Sequence, residues 1–183
     1  MTGVRPWNVV VTARPDGFED AEAALRSLGR VERTRFFNVL VMDVEDTEAF
    51  LEKLSAMAEV NPDLAERWIS RVVPVGETFS CQTRETFREE AARRVRERAG
   101  ELAGATFHVR MERRGLDEVL DSREEERFLG EVALEAVEEA GASAEVSFDD
   151  PDTVVAVETV SVRAGLAFLP RDLRERHPFL RAD

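Results

Sequence analysis

Apolar residues recur along this chain at two spacings, and each change of spacing marks an element. Asn8 to Ala13 (NVVVTA) is short and β-branched and ends before Pro15 and Gly17, which predicts a buried strand. Asp16 and Glu19 then have capping-box spacing. Phe18, Ala21, Leu25 and Leu28 follow at helical intervals until Gly29, where the helix is expected to stop. Val31 to Arg35 and Phe37 to Val44 read as two strands joined by a tight turn. Asp46 is placed to cap a helix with the stripe Phe50, Leu51, Leu54, Met57 and Ala58, closed by Pro62. Trp68 to Val75 (WISRVVPV) reads as one more strand.

The order over residues 1–75 is therefore β-α-β-β-α-β, the split βαβ or ferredoxin-like plan. After Gly76 the pattern begins again. Thr83 is placed to cap a long helix whose apolar positions are Phe87, Ala91, Val95, Ala99 and Leu102, with Arg and Glu interleaved on its other faces. Thr106 to Arg113 alternates: Phe107, Val109 and Met111 fall on one face, and His108, Arg110 and Glu112 on the other. Ser122 and Glu125 have capping-box spacing ahead of the stripe Leu129, Val132, Ala133, Ala136 and Val137, and Gly141 marks the stop. Glu145 to Phe148, Thr153 to Val160 and Arg163 to Leu169 read as strands, and a short tail, Arg171 to Asp183, ends the chain. The fold class is α+β, with domains at 1–75 and 76–183.

Composition narrows the function less than the pattern narrows the fold. No apolar run approaches the ~18 residues of a membrane-spanning helix. Met1 to Trp7 lacks the basic start and apolar run of a signal peptide, so a cytoplasmic location is expected. Cys81 is the only cysteine, which excludes an intrachain disulfide. The formal net charge is -13; residues 1–75 carry 9 basic and 13 acidic side chains, and residues 76–183 carry 16 and 25. By composition alone such a chain avoids nucleic acid, whose phosphates favour a basic footprint. All but one of the basic residues are arginine (Lys53 is the exception), the better residue for forked phosphate contacts.

Enzyme signatures are missing: the sequence has no glycine-rich phosphate loop of standard spacing and no nucleophile elbow. Ser80, Gln82 and Thr83 give Cys81 no neighbouring base, so it reads as structural. His108 and His177 are too isolated to suggest a metal centre. Asp149, Asp150 and Asp152 around Pro151 lack the ligand alternation of a calcium loop and read as a turn. The Glu124–Glu126 run falls in a first helical turn, where carboxylates suit the helix dipole. No cofactor and no metal are expected. One cluster has more to offer: Arg110, then Arg113-Arg114-Gly115 at a strand end, with Arg123 close behind in sequence. Arginines at such a corner can grip a phosphate, and glycine admits a close backbone.

Three segments, AGATFHVRMERRG (Ala103 to Gly115), LDSREEERFLGE (Leu120 to Glu131) and FDDPDTVVAVETV (Phe148 to Val160), together resemble the THUMP domain of tRNA-modifying proteins. RVVPVGETFSC (Arg71 to Cys81) resembles the segment that joins an N-terminal ferredoxin-like domain to THUMP in that family. The resemblance implies a ferredoxin-like domain followed by an α/β THUMP domain, together gripping the acceptor region of tRNA. It implies RNA binding by Arg110, Arg113, Arg114 and Gly115, and by Arg123. Arg163 and Arg171 are added on physical grounds, as basic residues flanking the last strand. In this family the chemistry belongs to a fused catalytic domain or to a separate enzyme such as an acetyltransferase. No fused domain is read here, so the expectation is a stand-alone, non-enzymatic adaptor that docks tRNA for a separate modifying enzyme. The alternative is a small-molecule-sensing or regulatory module built on the ferredoxin-like domain.

Overall fold

The computed structural model describes residues 6–181, so Met1 to Arg5 of the N-terminal stretch and the last two residues of the tail lie outside it. The chain divides into two units, the first running to Thr78 and taking in Arg174–Arg181, the second spanning Phe79–Leu173. The first unit is built from β1 (Val9–Ala13), α1 (Phe18–Leu25), β2 (Arg30–Arg33), β3 (Val39–Asp43), α2 (Thr47–Val60) and β4 (Ile69–Pro74). Its sheet has the order β2-β3-β1-β4, with every neighbouring pair antiparallel. The β-branched run of β1 lies at the centre: Val10 pairs with Val41 on one side and Val73 on the other, and Val9, Val10 and Val11 are buried.

Three local expectations are corrected in this unit. Asp16 and Glu19 form no capping box; the chain instead enters α1 through a 3-10 turn, Pro15–Gly17, that lacks a side-chain cap. The reason is a close approach of backbones. Arg14 N–H donates to the Trp68 carbonyl at 2.8 Å, and a Cβ at Gly17 would stand 2.3 Å from the Arg67 carbonyl oxygen. Helix α1 ends at Leu25 rather than at Gly29, which is needed where a Cβ would come within 2.8 Å of the Asp43 carbonyl oxygen. The turn between β2 and β3 is longer than the spacing suggested, passing through Asn38 at φ 58° and leaving Phe37 exposed. Helix α2 is capped as expected, Asp46 accepting from Ala49 N–H at 2.8 Å. A single π turn, Leu64–Trp68, delays β4 to Ile69.

Arg174–Arg181 also belong to this unit. Val72 N–H, on edge strand β4, donates to the Phe179 carbonyl at 2.9 Å, and Phe179 and Leu180 are buried. His177 is buried as well, 2.7 Å from Ser55 Oγ through Nδ1.

The second unit contains β5 (Phe79–Ser80), α3 (Arg84–Arg98), β6 (Thr106–Glu112), α4 (Ser122–Glu139), β7 (Glu145–Val146), β8 (Thr153–Val160), β9 (Arg163–Pro170) and the start of α5 (Arg171–Arg176). Its sheet order is β5-β9-β8-β6-β7, with β6 parallel to β7 and β8 and the other pairs antiparallel. Helices α3 and α4 pack together over a core that includes Phe87, Val95, Leu129, Ala133, Phe107, Val109, Met111, Val155 and Val157. Phe107 is fully buried, worth about 2–3 kcal/mol of apolar transfer. The alternation of Thr106 to Arg113 thus puts the odd positions into this core.

Thr83 caps α3 through Thr86 N–H, but the cap of α4 is Asp121, not Ser122. Glu125 does not bond back to the helix start. It is fully buried and holds Arg84 Nε at 2.9 Å and Arg88 Nε at 2.8 Å. The strand expected over Glu145 to Phe148 contracts to two residues, and Phe148 is 81% exposed. Among the described residues no helix is long and apolar enough to cross a membrane, and no group of His, Cys, Asp or Glu could hold a metal ion.

Candidate functional site

The register of the second sheet decides which predicted residues stand together. Glu112 pairs with Glu158, and Val160 pairs with Arg163, so Arg163 shares the sheet end at which β6 turns through Arg113-Arg114-Gly115. Helix α4 returns from this end, since Met111 N–H donates to Glu126 Oε1 at 2.8 Å in its first turns. At the other end, Gly104 N–H donates to the Ser143 carbonyl at 2.7 Å, so α4 runs antiparallel to β6. Arg123 therefore belongs with the corner. Arg171 does not: it follows the far end of β9, roughly 25 Å away at the rise of a strand, where it binds the Asp150 carbonyl at 2.7 Å and faces the Asp150 and Asp152 carboxylates. Its physical work is to fix the β7–β8 turn.

Within the corner, burial separates the arginines. Arg114 Nη1 donates to Glu158 Oε2 at 2.6 Å; that carboxylate is fully buried and the arginine side chain only 13% exposed. Arg114 N–H also donates to Thr159 Oγ1, and its carbonyl accepts from Ser161 N–H, both at 2.9 Å. Arg113 Nη1 donates to the Gly115 carbonyl at 3.2 Å and to Asp117 Oδ1 at 2.5 Å. The expectation that this Arg-Arg pair lies open to grip a phosphate is thus revised: both guanidinium groups brace the protein's own turn. Gly115 has the same role. Its φ is 93°, and a Cβ there would lie 3.0 Å from the Ser161 carbonyl oxygen, so the backbone it admits is the β8–β9 turn. Arg163 is half-buried, with Nη1 3.3 Å from Ser80 Oγ.

Other cations remain turned to water. Arg110 lies on the sheet face opposite Val109 and Met111, exposed, with Glu112 at a loose 3.8 Å. Such a pair is worth little in solvent. Arg123 and Arg127 are exposed on one face of α4, and no carboxylate pairs with them among the described residues. The sequence reading passes over Arg127, although its position four residues after Arg123 signals a shared helical face. Most arginines of α3 are paired: Arg84, Arg88, Arg93, Arg94 and Arg98 each meet a glutamate.

Arg123 and Arg127 also line a groove of about 280 Å³ between the first half of α4 and the edge of β6. Strand β7 covers that edge only at Thr106 and Phe107. Val146 and Phe148 form the outer wall, and the Phe148 ring stacks on His108 with centroids 5.7 Å apart. His108 Nδ1 lies 3.0 Å from the Ser147 carbonyl oxygen. Cys81 supplies no chemistry nearby: it is buried, and burial pushes its thiol up to about 11, against the opposing effect of Arg163. At neutral pH it is a protonated core residue.

Neither a protein-family model nor a curated protein sequence matches this chain. Solved structures do match in fold. PH1313 from Pyrococcus horikoshii aligns over 87% of this chain and 53% of its own at 16% identity, with a TM-score of 0.59. TrmN from Thermus thermophilus aligns over 90% and 45% at 20% identity, TM-score 0.55. A 4-thiouridine synthetase solved as a complex with RNA and ATP aligns over 88% and 41% at 18% identity, TM-score 0.55. The chain spans about half of each of these proteins, and the likeness in fold runs through both of its units.

Proposed function

We propose that this chain is an RNA-binding module of tRNA modification, made of a ferredoxin-like domain and a THUMP domain. In this reading it docks the acceptor region of tRNA for a separate modifying enzyme. The observation that carries the reading is the likeness of nearly the whole chain to part of a synthetase solved with RNA bound. The antiparallel order β2-β3-β1-β4 supports the ferredoxin-like assignment of the first unit. The ordered Arg-Arg-Gly, Ser-Arg-Glu and Asp-Pro-Asp segments support the THUMP assignment of the second.

Burial changes which residues carry the binding. Arg110, Arg123 and Arg127 are the contacts to phosphate, being open and cationic; Arg114, Gly115 and in large part Arg113 hold the corner that presents them. Folded RNA offers its backbone and shape more readily than its base edges, so open arginines on β6 and α4 suit it. Contacts by these three arginines on an acidic protein imply modest affinity and strong dependence on salt.

The test is fluorescence anisotropy with labelled tRNA, an acceptor-stem minihelix and a DNA duplex of the same length. The expected result is binding to tRNA and the minihelix that weakens with salt, with DNA much weaker. Equal affinity for all three, or none for tRNA, contradicts the reading.

A further inference from the structure

The groove beside α4 has a second character that phosphate binding does not use. Its floor and walls are apolar: Phe107, Val109, Leu134, Val146 and Phe148. Phe148 and Val146 stand 81% and 39% exposed on the same wall of the groove. At about 280 Å³ the groove falls at the lower limit of small-molecule sites and is sized for one or two side chains. One wall is the edge of β6, which β7 leaves after Val146 and where Glu126 Oε1 takes the Met111 N–H.

Charge chooses the occupant. Moving away from Arg123 and Arg127, exposed carboxylates take over. Glu131 lines the groove, Glu135, Glu138 and Glu139 follow on α4, and Glu145 and Asp149 lie on β7 and the loop after it. A nucleic-acid strand continuing past those two arginines would bring its phosphates towards these carboxylates. A basic polypeptide would find complementary charge there.

We propose that this groove docks an extended, basic segment of another protein, anchored by an apolar side chain against Phe148 and flanked by Lys or Arg facing Glu131 and the acidic half of α4. The acidic half lies beyond the arginines assigned to RNA, and its role does not depend on that assignment. A protein carrying both would bring a basic partner alongside bound RNA.

The proposal is tested by selecting a random-peptide phage library on the purified protein, then measuring the selected peptides by anisotropy. The expected outcome is convergence on sequences with an apolar residue between basic ones. Their affinity should fall about tenfold or more for Phe148→Ser and for Glu131→Lys, as for an anchor residue. Phe148 and Glu131 are both exposed, so circular dichroism should show unchanged folding in these variants. Three results would overturn it: no convergence, convergence on acidic peptides, or affinity indifferent to Phe148→Ser. Binding of an unpaired RNA oligonucleotide that Phe148→Ser abolishes would likewise overturn it and assign the groove to nucleic acid.

Discussion

Two regions at the α4 side of the second sheet differ in how far they are satisfied from within. The corner after β6 is rich in charge, yet its charges answer one another: Arg114 with Glu158, Arg113 with Asp117. The groove beside it leaves Arg123 and Arg127 without a carboxylate partner among the described residues, with Phe148 and Val146 facing water. A cluster of arginines in a sequence therefore does not by itself mark a binding surface. What marks one is the lack of a carboxylate at the right depth. In the proposed reading the corner supplies shape and the open arginines beside it supply contacts, and this division can be broken experimentally.

The largest effect is expected at the buried pair. Glu158→Ala leaves the Arg114 guanidinium nearly buried without its carboxylate, which should cost about 3–5 kcal/mol and lower the urea midpoint accordingly. A change below about 1 kcal/mol would mean that the corner is not held by this pair. A smaller loss, about 1–3 kcal/mol, is expected for Gly115→Ala, because φ 93° and the 3.0 Å approach of the Ser161 carbonyl oxygen leave no relaxed place for a methyl group. Thermal unfolding measures it, and an unchanged midpoint would show the turn to be yielding.

Arg114→Glu, the obvious charge reversal from sequence, would set two carboxylates together in the interior. It would report on folding rather than on RNA.

The periodicities made most of the fold legible. The β-branched run at Asn8 to Ala13 and the alternation Phe107, Val109, Met111 forecast a central strand and an inward face, and Asp46 and Thr83 forecast two caps that form. What stayed hidden depends on neighbours distant in sequence. Asp16 and Glu19 lose their capping box to the backbone of Arg67 and Trp68, some fifty residues later. Glu125 looks like a dipole-stabilising carboxylate until α3 brings Arg84 and Arg88 to it. The same holds for the site. Adjacency in sequence points to Arg113 and Arg114, but only the fold reveals Glu158 opposite Arg114. Phe148 reads in sequence as the end of a strand, because nothing local says that β7 stops before it. Arg163 and Arg171 both flank β9, but a strand has two ends and only Arg163 stands at the corner.

The central claim is that RNA meets the open arginines rather than the braced ones. Arg123→Glu together with Arg127→Glu, titrated against labelled tRNA at several salt concentrations, tests it directly. The expected result is an unchanged melting temperature, an affinity about tenfold or more weaker at moderate salt, and a salt slope reduced by about one for each arginine that no longer meets a phosphate. Wild-type affinity and slope in the double variant would contradict it.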